Sequence, residues 1–264
     1  MSNLLSRFGK ARSARVAFAL ASLMPFSGTI HAQWTNLHDP KTPRTADGKP
    51  NLSAPAPRQP GGKPDLSGMW LVADNHLQFN MAADTPGVEL TPAYAAIYKQ
   101  HLDGAGKDRP SGKCLPHGIP DAMLAPTPFK FIHTPGVTLI LYEEFVDFRQ
   151  IFTDGRQLPK DPEPAWFGYS VGKWDGGAFV IDTGGFNDKS WLDDDGHPHS
   201  DALHTIERFR RPDFGHLIME ITIDDPKAYV KPWNATLHFN LLPDMELIES
   251  VCDHNNDTPH MVGK

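Results

Sequence analysis

Apolar residues in the second half of the chain fall into short runs separated by turn residues. From Lys130 onward the runs are KFIHT, VTLILYEE, FVDFRQIFT, WFGYSVGKW, AFVIDT, LHTIERF, LIMEITI, ATLHFNLL and MELIESV. Breaks such as PG, DG, DGG and LPD separate them, at spacings typical of an antiparallel meander. The run MWLVA around Trp70 adds an earlier strand. The pattern therefore predicts about ten β-strands.

Apolar and polar residues alternate within these runs, which indicates strands with one buried and one solvated face. Leu217, Met219, Ile221 and Ile223 share one face of their run, because successive side chains of a strand point to opposite sides. A flat sheet with this many strands would leave two unpaired edges, and closing the sheet removes them. We expect an all-β fold, an antiparallel meander closed into a lipocalin-like barrel or folded into a two-sheet sandwich.

The first third of the chain predicts a different organisation. Residues 1–32 carry four basic residues, the apolar run VAFALASLMPF and a small-residue segment ending at Ala32, which is the order of a cleaved secretory signal peptide. Residues 33–64 are rich in Pro, Gly and Lys and are expected to form a flexible leader. Thr91 and Pro92 precede AYAAIYKQHL and predict one short helix. Residues 65–264 form the single predicted barrel domain.

Charge and hydropathy limit the partners. The net charge of −7 becomes −11 after removal of residues 1–32, which contain four basic residues and no acid. An acidic surface disfavours nucleic acid as a partner. The apolar run near the amino terminus is too short for a permanent membrane span, which takes about 20 residues, and no later segment offers one. We expect a periplasmic or secreted protein with a small-molecule or glycan ligand, and the oligomeric state stays open.

The chain contains two cysteines, Cys114 and Cys252. In an exported protein two thiols pair more often than they stay free, so a disulfide is expected. Two separate buried thiols are the alternative.

Six segments resemble those of an uncharacterised family of exported bacterial proteins. They are DLSGMW, CLPHGIP, the stretch FTDGRQLPKDPEPAWFGYSVGKW through GGFND, WLDDDGHPHSDALHTIERFRR, TIDDPKAYVKPW and ESVCDHNN. The resemblance covers nearly the whole mature chain and implies export and one β-rich domain, but no activity. The chain departs from the family at Gly176-Gly177-Ala178, where the family has Gly-Asp-Thr, and this weakens any role for an acid in that turn.

Histidines and acids crowd residues 191–207, WLDDDGHPHSDALHTIE. One interpretation is a divalent metal site formed by His197, His199 and His204, with Glu207 as a further ligand. If residues 202–209 form a strand, His204 and Glu207 point to opposite faces and cannot both join the site. The spacing resembles the first cupin box, but Leu203 or His204 occupies the position of its acid. A solvated or structural loop is the third alternative.

Proton transfer without a metal is the other chemical interpretation of this stretch. His199 and His204 would act as bases, with Asp201 or Glu207 as their orienting acids. Asn187 and Trp191 precede them in a loop suited to a hydroxylated ligand, and Arg149 would clamp a carboxylate or an oxyanion. An exposed ion pair between Asp147 and Arg149 is the structural alternative.

Aromatic residues form another candidate binding surface. Trp166 and Trp174 fall on one face of a predicted strand with only Gly and Ser between them, and Tyr169 lies on the opposite face. The small residues would leave room for a flat ligand or a sugar ring. They would equally allow a sharp strand bend.

No nucleotide-binding loop, dinucleotide fingerprint, nucleophile elbow or HExxH motif occurs in the sequence. The resulting hypothesis is an exported enzyme that acts on a small molecule or a carbohydrate by acid/base chemistry, a lyase or a hydrolase, without an organic cofactor. A binding protein without turnover and a metal-dependent enzyme are the alternatives.

Overall fold

Hydrogen bonding between neighbouring strands closes the β-sheet into a barrel, in a computed structural model that describes residues 37–252. The predicted signal peptide, residues 1–32, lies outside the described residues. Within them the strands are β1 (Gly68–Val72), β2 (Phe129–Thr134), β3 (Val137–Tyr142), β4 (Phe148–Phe152), β5 (Tyr169–Asp175), β6 (Ala178–Gly184), β7 (His204–Arg210), β8 (His216–Asp224) and β9 (Trp233–Leu241). The barrel prediction is confirmed, and the sandwich alternative is excluded.

Strand order follows the chain, and β9 pairs with β1 to close the barrel. Eight of the nine neighbouring pairs are antiparallel, whereas β4 and β5 run parallel. A parallel pair needs a long crossover, and residues 153–168 supply it. The barrel is therefore mixed, where an antiparallel meander was predicted. The predicted last strand, MELIESV, does not form in the described residues; within that segment Ser250 makes an isolated bridge to Glu144.

All four helical segments of the described residues lie between β1 and β2 in the sequence. They are α1 (Asn75–Phe79), α2 (Pro92–Asp103), a 3-10 turn (Pro110–Lys113) and α3 (Asp121–Leu124). Helix α2 is the predicted one, with Thr91 at its N-cap position and Gly104 at its C-cap. No helix in residues 37–252 is both long and apolar enough to cross a membrane.

Apolar side chains fill the inside of the barrel. On β9 every second residue is buried, from Trp233 through Phe239 to Leu241, and the residues between them are exposed. The predicted inward face of β8 is buried in the same way. Gly172 of β5 shows how tight this packing is, since a Cβ there would lie 2.7 Å from Ile151 and 2.8 Å from Phe179. The small-residue gap predicted beside Trp174 is therefore filled by protein side chains.

The described part of the predicted leader contacts the barrel. The amides of Phe214 and Gly215 donate hydrogen bonds to the carbonyl oxygens of Ala54 and Leu52, both at 2.7 Å. Arg44 forms an ion pair with Asp244 at 2.7 Å. The polar composition of this segment did not predict that it would contact the barrel.

Cys114 and Cys252 form the predicted disulfide, with their Cα atoms 5.5 Å apart. The bond joins the loop after the 3-10 turn to the segment that follows β9. It lies near the bridge between Glu144 and Ser250, where the amide of Phe145 also donates to the Ser250 carbonyl at 2.9 Å.

Candidate functional site

A cleft opens in the barrel wall where β4 and β5 diverge. The two strands pair only at Ile151 with Ser170 and at Phe152 with Val171. Before these positions the chains separate and leave a cavity of about 410 Å³, whose lining includes Asp147, Arg149, Gln150, Trp166, Phe167 and Tyr169. This volume falls within the usual range of small-ligand sites, roughly 300–1,000 Å³. Three residues predicted to bind ligand, Arg149, Trp166 and Tyr169, therefore meet at one cleft.

Arg149 lies at the inner end of the cleft, where it pairs with Glu207 of β7. The guanidinium donates to the two Glu207 carboxylate oxygens at 3.0 and 2.5 Å, to Ser170 Oγ at 3.0 Å and to Thr183 Oγ1 at 2.8 Å. These bonds use four of its five N–H groups. Most of the hydrogen bonds of Arg149 therefore go to barrel residues. Its ion-pair partner is Glu207, where Asp147 was the predicted alternative.

Burial and the charge of Glu207 shift the pKa of Arg149 in opposite directions. Burial lowers the pKa of Arg149, but the facing Glu207 carboxylate and its hydrogen bonds outweigh burial, so the pKa lies above its ordinary value. The side chains of Arg149 and Glu207 are 1% and 0% exposed. A buried pair of this kind contributes little net stability compared with apolar packing, but losing one partner is costly. Glu207, predicted as a catalytic residue, serves here as the partner of Arg149.

The hydroxyl of Tyr142 is buried beside the same ion pair, where it interacts with the Arg149 guanidinium but forms no well-aligned hydrogen bond within residues 37–252. Burial raises the pKa of its phenol above the ordinary value, so the hydroxyl keeps its proton at neutral pH. The Tyr142 ring stacks on Phe167, with centroids 5.4 Å apart, and Phe167 lines the cleft. The hydroxyl thus adjoins the Arg149–Glu207 pair, and Tyr142 supports the cleft wall through Phe167 without lining the cavity itself.

Aromatic side chains form the walls of the cleft. Phe148 is 58% exposed, and among the described residues Trp166 stacks on no other aromatic ring. Tyr169 stacks on Phe152 at 5.2 Å, and its hydroxyl accepts a hydrogen bond from Arg156 at 2.9 Å. The Arg156 guanidinium also lies 4.0 Å above the Phe152 ring. Tyr169 is therefore fixed in place, whereas Phe148 and Trp166 offer open ring surface.

Asp147 brings a carboxyl group to the mouth of the cleft. Burial raises its pKa above the ordinary value, and the positive charge of His117 partly offsets that effect. Carboxyl and amide groups such as those of Asp147 and Gln150 are suited to hydrogen bonds with ligand hydroxyls. The mouth of the cleft is therefore polar, and its walls are apolar.

A cluster of charged groups adjoins the cleft at His117, next to the lining residue Pro116. His117 Nδ1 donates to Asp121 at 2.7 Å, and its Nε2 lies 3.3 Å from Glu144. Arg109 pairs with Asp121 at 3.2 Å and also with Asp194. Sequence reasoning missed this cluster, although CLPHGIP was noted as a motif. The sequence feature that could have revealed the cluster is a histidine followed by an acid four residues later. This spacing is too common to indicate a site by itself.

The cluster predicts a pH effect on stability. Burial disfavours the charged imidazole of His117, but hydrogen bonds and charges from Asp121 and Glu144 outweigh burial and raise its pKa to about 9. Because the pKa is higher in the folded state, protonated His117 stabilises the fold fully at pH values below its ordinary pKa near 6.5. This contribution is lost as the pH rises through about 9. We expect His117→Gln to lower the unfolding free energy clearly at pH near 6 and much less above 9, as measured by urea unfolding. His204→Gln, on the barrel surface, is the control, and an equal effect at both pH values would contradict the assignment.

The three predicted histidine ligands do not share a site. His197 donates from Nδ1 to Asp193 at 2.6 Å and stacks on Tyr98 of α2 at 4.2 Å. His204 lies on the outer face of β7, where its Nε2 donates to Asp182 at 2.6 Å. Within residues 37–252 no group of three or more His, Cys, Asp or Glu side chains is arranged to hold a metal ion. As predicted for a strand, His204 and Glu207 point to opposite faces.

His199 has a separate, buried environment. Its Nδ1 donates to the Ser200 carbonyl at 3.0 Å, and its Nε2 accepts from Ser190 Oγ at 2.7 Å. Burial lowers the pKa of His199, which keeps it neutral. This is the hydrogen bonding of a nucleophile and its base, but His199 and Ser190 are each only 3% exposed and neither lines the cleft. The pair thus holds the 190–200 loop together.

The other predicted site residues do not line the cleft. Asp201 forms a surface ion pair with Lys227, so it does not orient a histidine. Asn187 Oδ1 accepts from the Lys189 amide at 3.1 Å. Trp191 is buried and stacks on His101 at 4.2 Å. Trp174 lies at the far end of β5 against Phe179, with ring centroids 5.2 Å apart.

Fold and cleft together define a closed β-barrel with a small-ligand cleft in its side. Comparisons of the chain with protein-family models, curated proteins and solved structures give no match. The resemblance to an exported bacterial family therefore stays a prediction.

Proposed function

We propose that the protein binds a small ring-shaped ligand, best fitted by a carbohydrate, in the cleft between β4 and β5. The observation that carries this proposal is the combination of open aromatic walls with polar groups at both ends of one cavity of about 410 Å³. Sugar rings present an apolar face that stacks on aromatic rings and a rim of hydroxyls that hydrogen-bond. Trp166 and Phe148 suit the face, and Asp147 and Gln150 suit the rim.

Export is part of the same proposal. The signal-peptide pattern of residues 1–32 supports it, and the disulfide between Cys114 and Cys252 is compatible with an oxidising compartment. Fractionation of cells that express the full chain tests it. We expect the protein in the periplasm or the medium, shortened by about the mass of its first 32 residues, and a cytoplasmic full-length chain would contradict export.

Titration with sugars tests the binding site. We expect at least one neutral mono- or disaccharide to bind in isothermal titration calorimetry. Trp166→Ala should weaken that binding about tenfold, which corresponds to about 1.4 kcal/mol, because the stacking surface is lost. Trp174→Ala is the matched control, since Trp174 belongs to the same chain segment but lies outside the cleft. An equal loss in both variants would show a structural effect and would contradict the site.

Turnover of the bound ligand is a second candidate, and Asp147 favours it. A carboxyl group with a raised pKa at the mouth of a cleft is a suitable general acid or base. Glycoside hydrolysis usually needs two carboxyl groups, and the nearby Glu207 is committed to Arg149, so chemistry that needs a single proton-transfer group fits better. Incubation of the protein and of Asp147→Asn with bound sugars, followed by product analysis, tests this candidate. Equal product from both would exclude Asp147 as the acid or base.

A further inference from the structure

The electrostatic environment of the cleft bears on which ligands it accepts. At its inner end the positive charge of Arg149 is neutralised by Glu207, which accepts two hydrogen bonds from it. The guanidinium also interacts with the Tyr142 hydroxyl of β3. An anionic ligand group would therefore meet no net positive charge at this end.

The mouth of the cleft is negatively charged. Asp147 lines the cavity. Beside it lie two cations, Arg109 and His117, and three further acids, Asp121, Glu144 and Asp194, whereas Arg156 at Tyr169 is balanced by Asp154. The formal sum of the first six groups is −2 when all are charged. Asp194 has a pKa raised to about 6, chiefly by burial, and is therefore mostly charged above neutral pH. An anion entering the cleft would pass this excess of negative charge.

We infer that the cleft selects neutral ring ligands against their anionic counterparts, with Asp147 as the specificity-determining charge. This inference rests on the proposed carbohydrate-binding function. A unit charge several ångströms away in a partly buried site changes binding by about tenfold or more. The preference should weaken as salt is added, because the mouth is open to solvent.

Matched sugar pairs test the inference directly. Glucose is compared with glucuronate and galactose with galacturonate by calorimetry at neutral pH and low salt, since each pair differs in one carboxylate. We expect the neutral member to bind about tenfold tighter, and Asp147→Asn to reduce that ratio severalfold. Asp161→Asn, an exposed acid outside the cleft lining, should leave the ratio unchanged.

The outcomes separate the two proposals. A uronate that binds as tightly as its neutral sugar, or a ratio that Asp147→Asn leaves unchanged, overturns the charge selection and leaves carbohydrate binding standing. Absence of binding by all four sugars and by a wider panel of neutral sugars overturns the proposed function, and the selection with it.

Discussion

Replacing Glu207 with alanine should lower the free energy of unfolding by about 3–5 kcal/mol, because it leaves the Arg149 charge buried and unpaired. Arg149 is 1% exposed, so its unpaired charge would stay almost entirely out of water. Ser170 and Thr183 would still accept from it, but neutral hydroxyls cannot balance its charge. Urea unfolding at neutral pH measures the loss.

A double variant separates the cost of an unpaired charge from the net contribution of the pair. Arg149→Met with Glu207→Leu replaces both groups by apolar side chains, and we expect it to recover most of the lost stability. Glu220→Ala is the control, since Glu220 pairs with Arg210 on the barrel surface with both side chains nearly half exposed, where such pairs contribute about 0–1 kcal/mol. If the double variant is no more stable than Glu207→Ala, loss of packing rather than of charge balance explains the effect.

The regular part of the barrel could be predicted from the sequence because local patterns specify it. On β8 and β9 the alternation of apolar and polar residues matches the buried and exposed faces along the whole strands. The same logic placed His204 and Glu207 on opposite faces. Turn residues between the runs correctly marked most strand ends, since short antiparallel connections are local structures.

The parallel pairing of β4 and β5 could not be predicted in this way. No local pattern distinguishes a strand that pairs with its predecessor in parallel from one that pairs antiparallel. Residues 153–168 were expected to hold part of a strand, because Trp166 and Trp174 alternate with small residues. Strand β5 begins only at Tyr169, so Trp166 belongs to the crossover and lines the cleft, whereas Trp174 packs at the other end of the strand.

The candidate site was found only in part because its residues are distant in the chain. Arg149 and Glu207 are 58 positions apart, and sequence reasoning gave each a role without pairing them. The crowded histidines at 197, 199 and 204 suggested one site, but each has its own partner. His197 and His199 stabilise a buried loop through Asp193 and Ser190, which shows that a dense run of polar residues can satisfy its own hydrogen bonds.

The disulfide links this fold to the cleft. Cys114 lies two residues before Pro116, which lines the cleft, and three before His117. Its partner Cys252 follows Ser250, which is bridged to Glu144. The loop that carries His117 and the segment after β9 are therefore held together on the side of the cleft where Asp147 lies.

Replacing both cysteines with serine should lower the free energy of unfolding by up to about 5 kcal/mol, since the bond closes a loop of 138 residues and long loops gain most in the chain-entropy model. Urea unfolding of this variant, compared with the oxidised and the reduced wild-type protein, measures the loss. Reduced wild type and the double variant should agree, because both lack the cross-link. The variant should also bind sugar more weakly, because the loop at Pro116 loses its attachment beside the cleft. A double variant as stable as the oxidised protein would show that β1–β9 pairing and the packed core hold these segments without the bond.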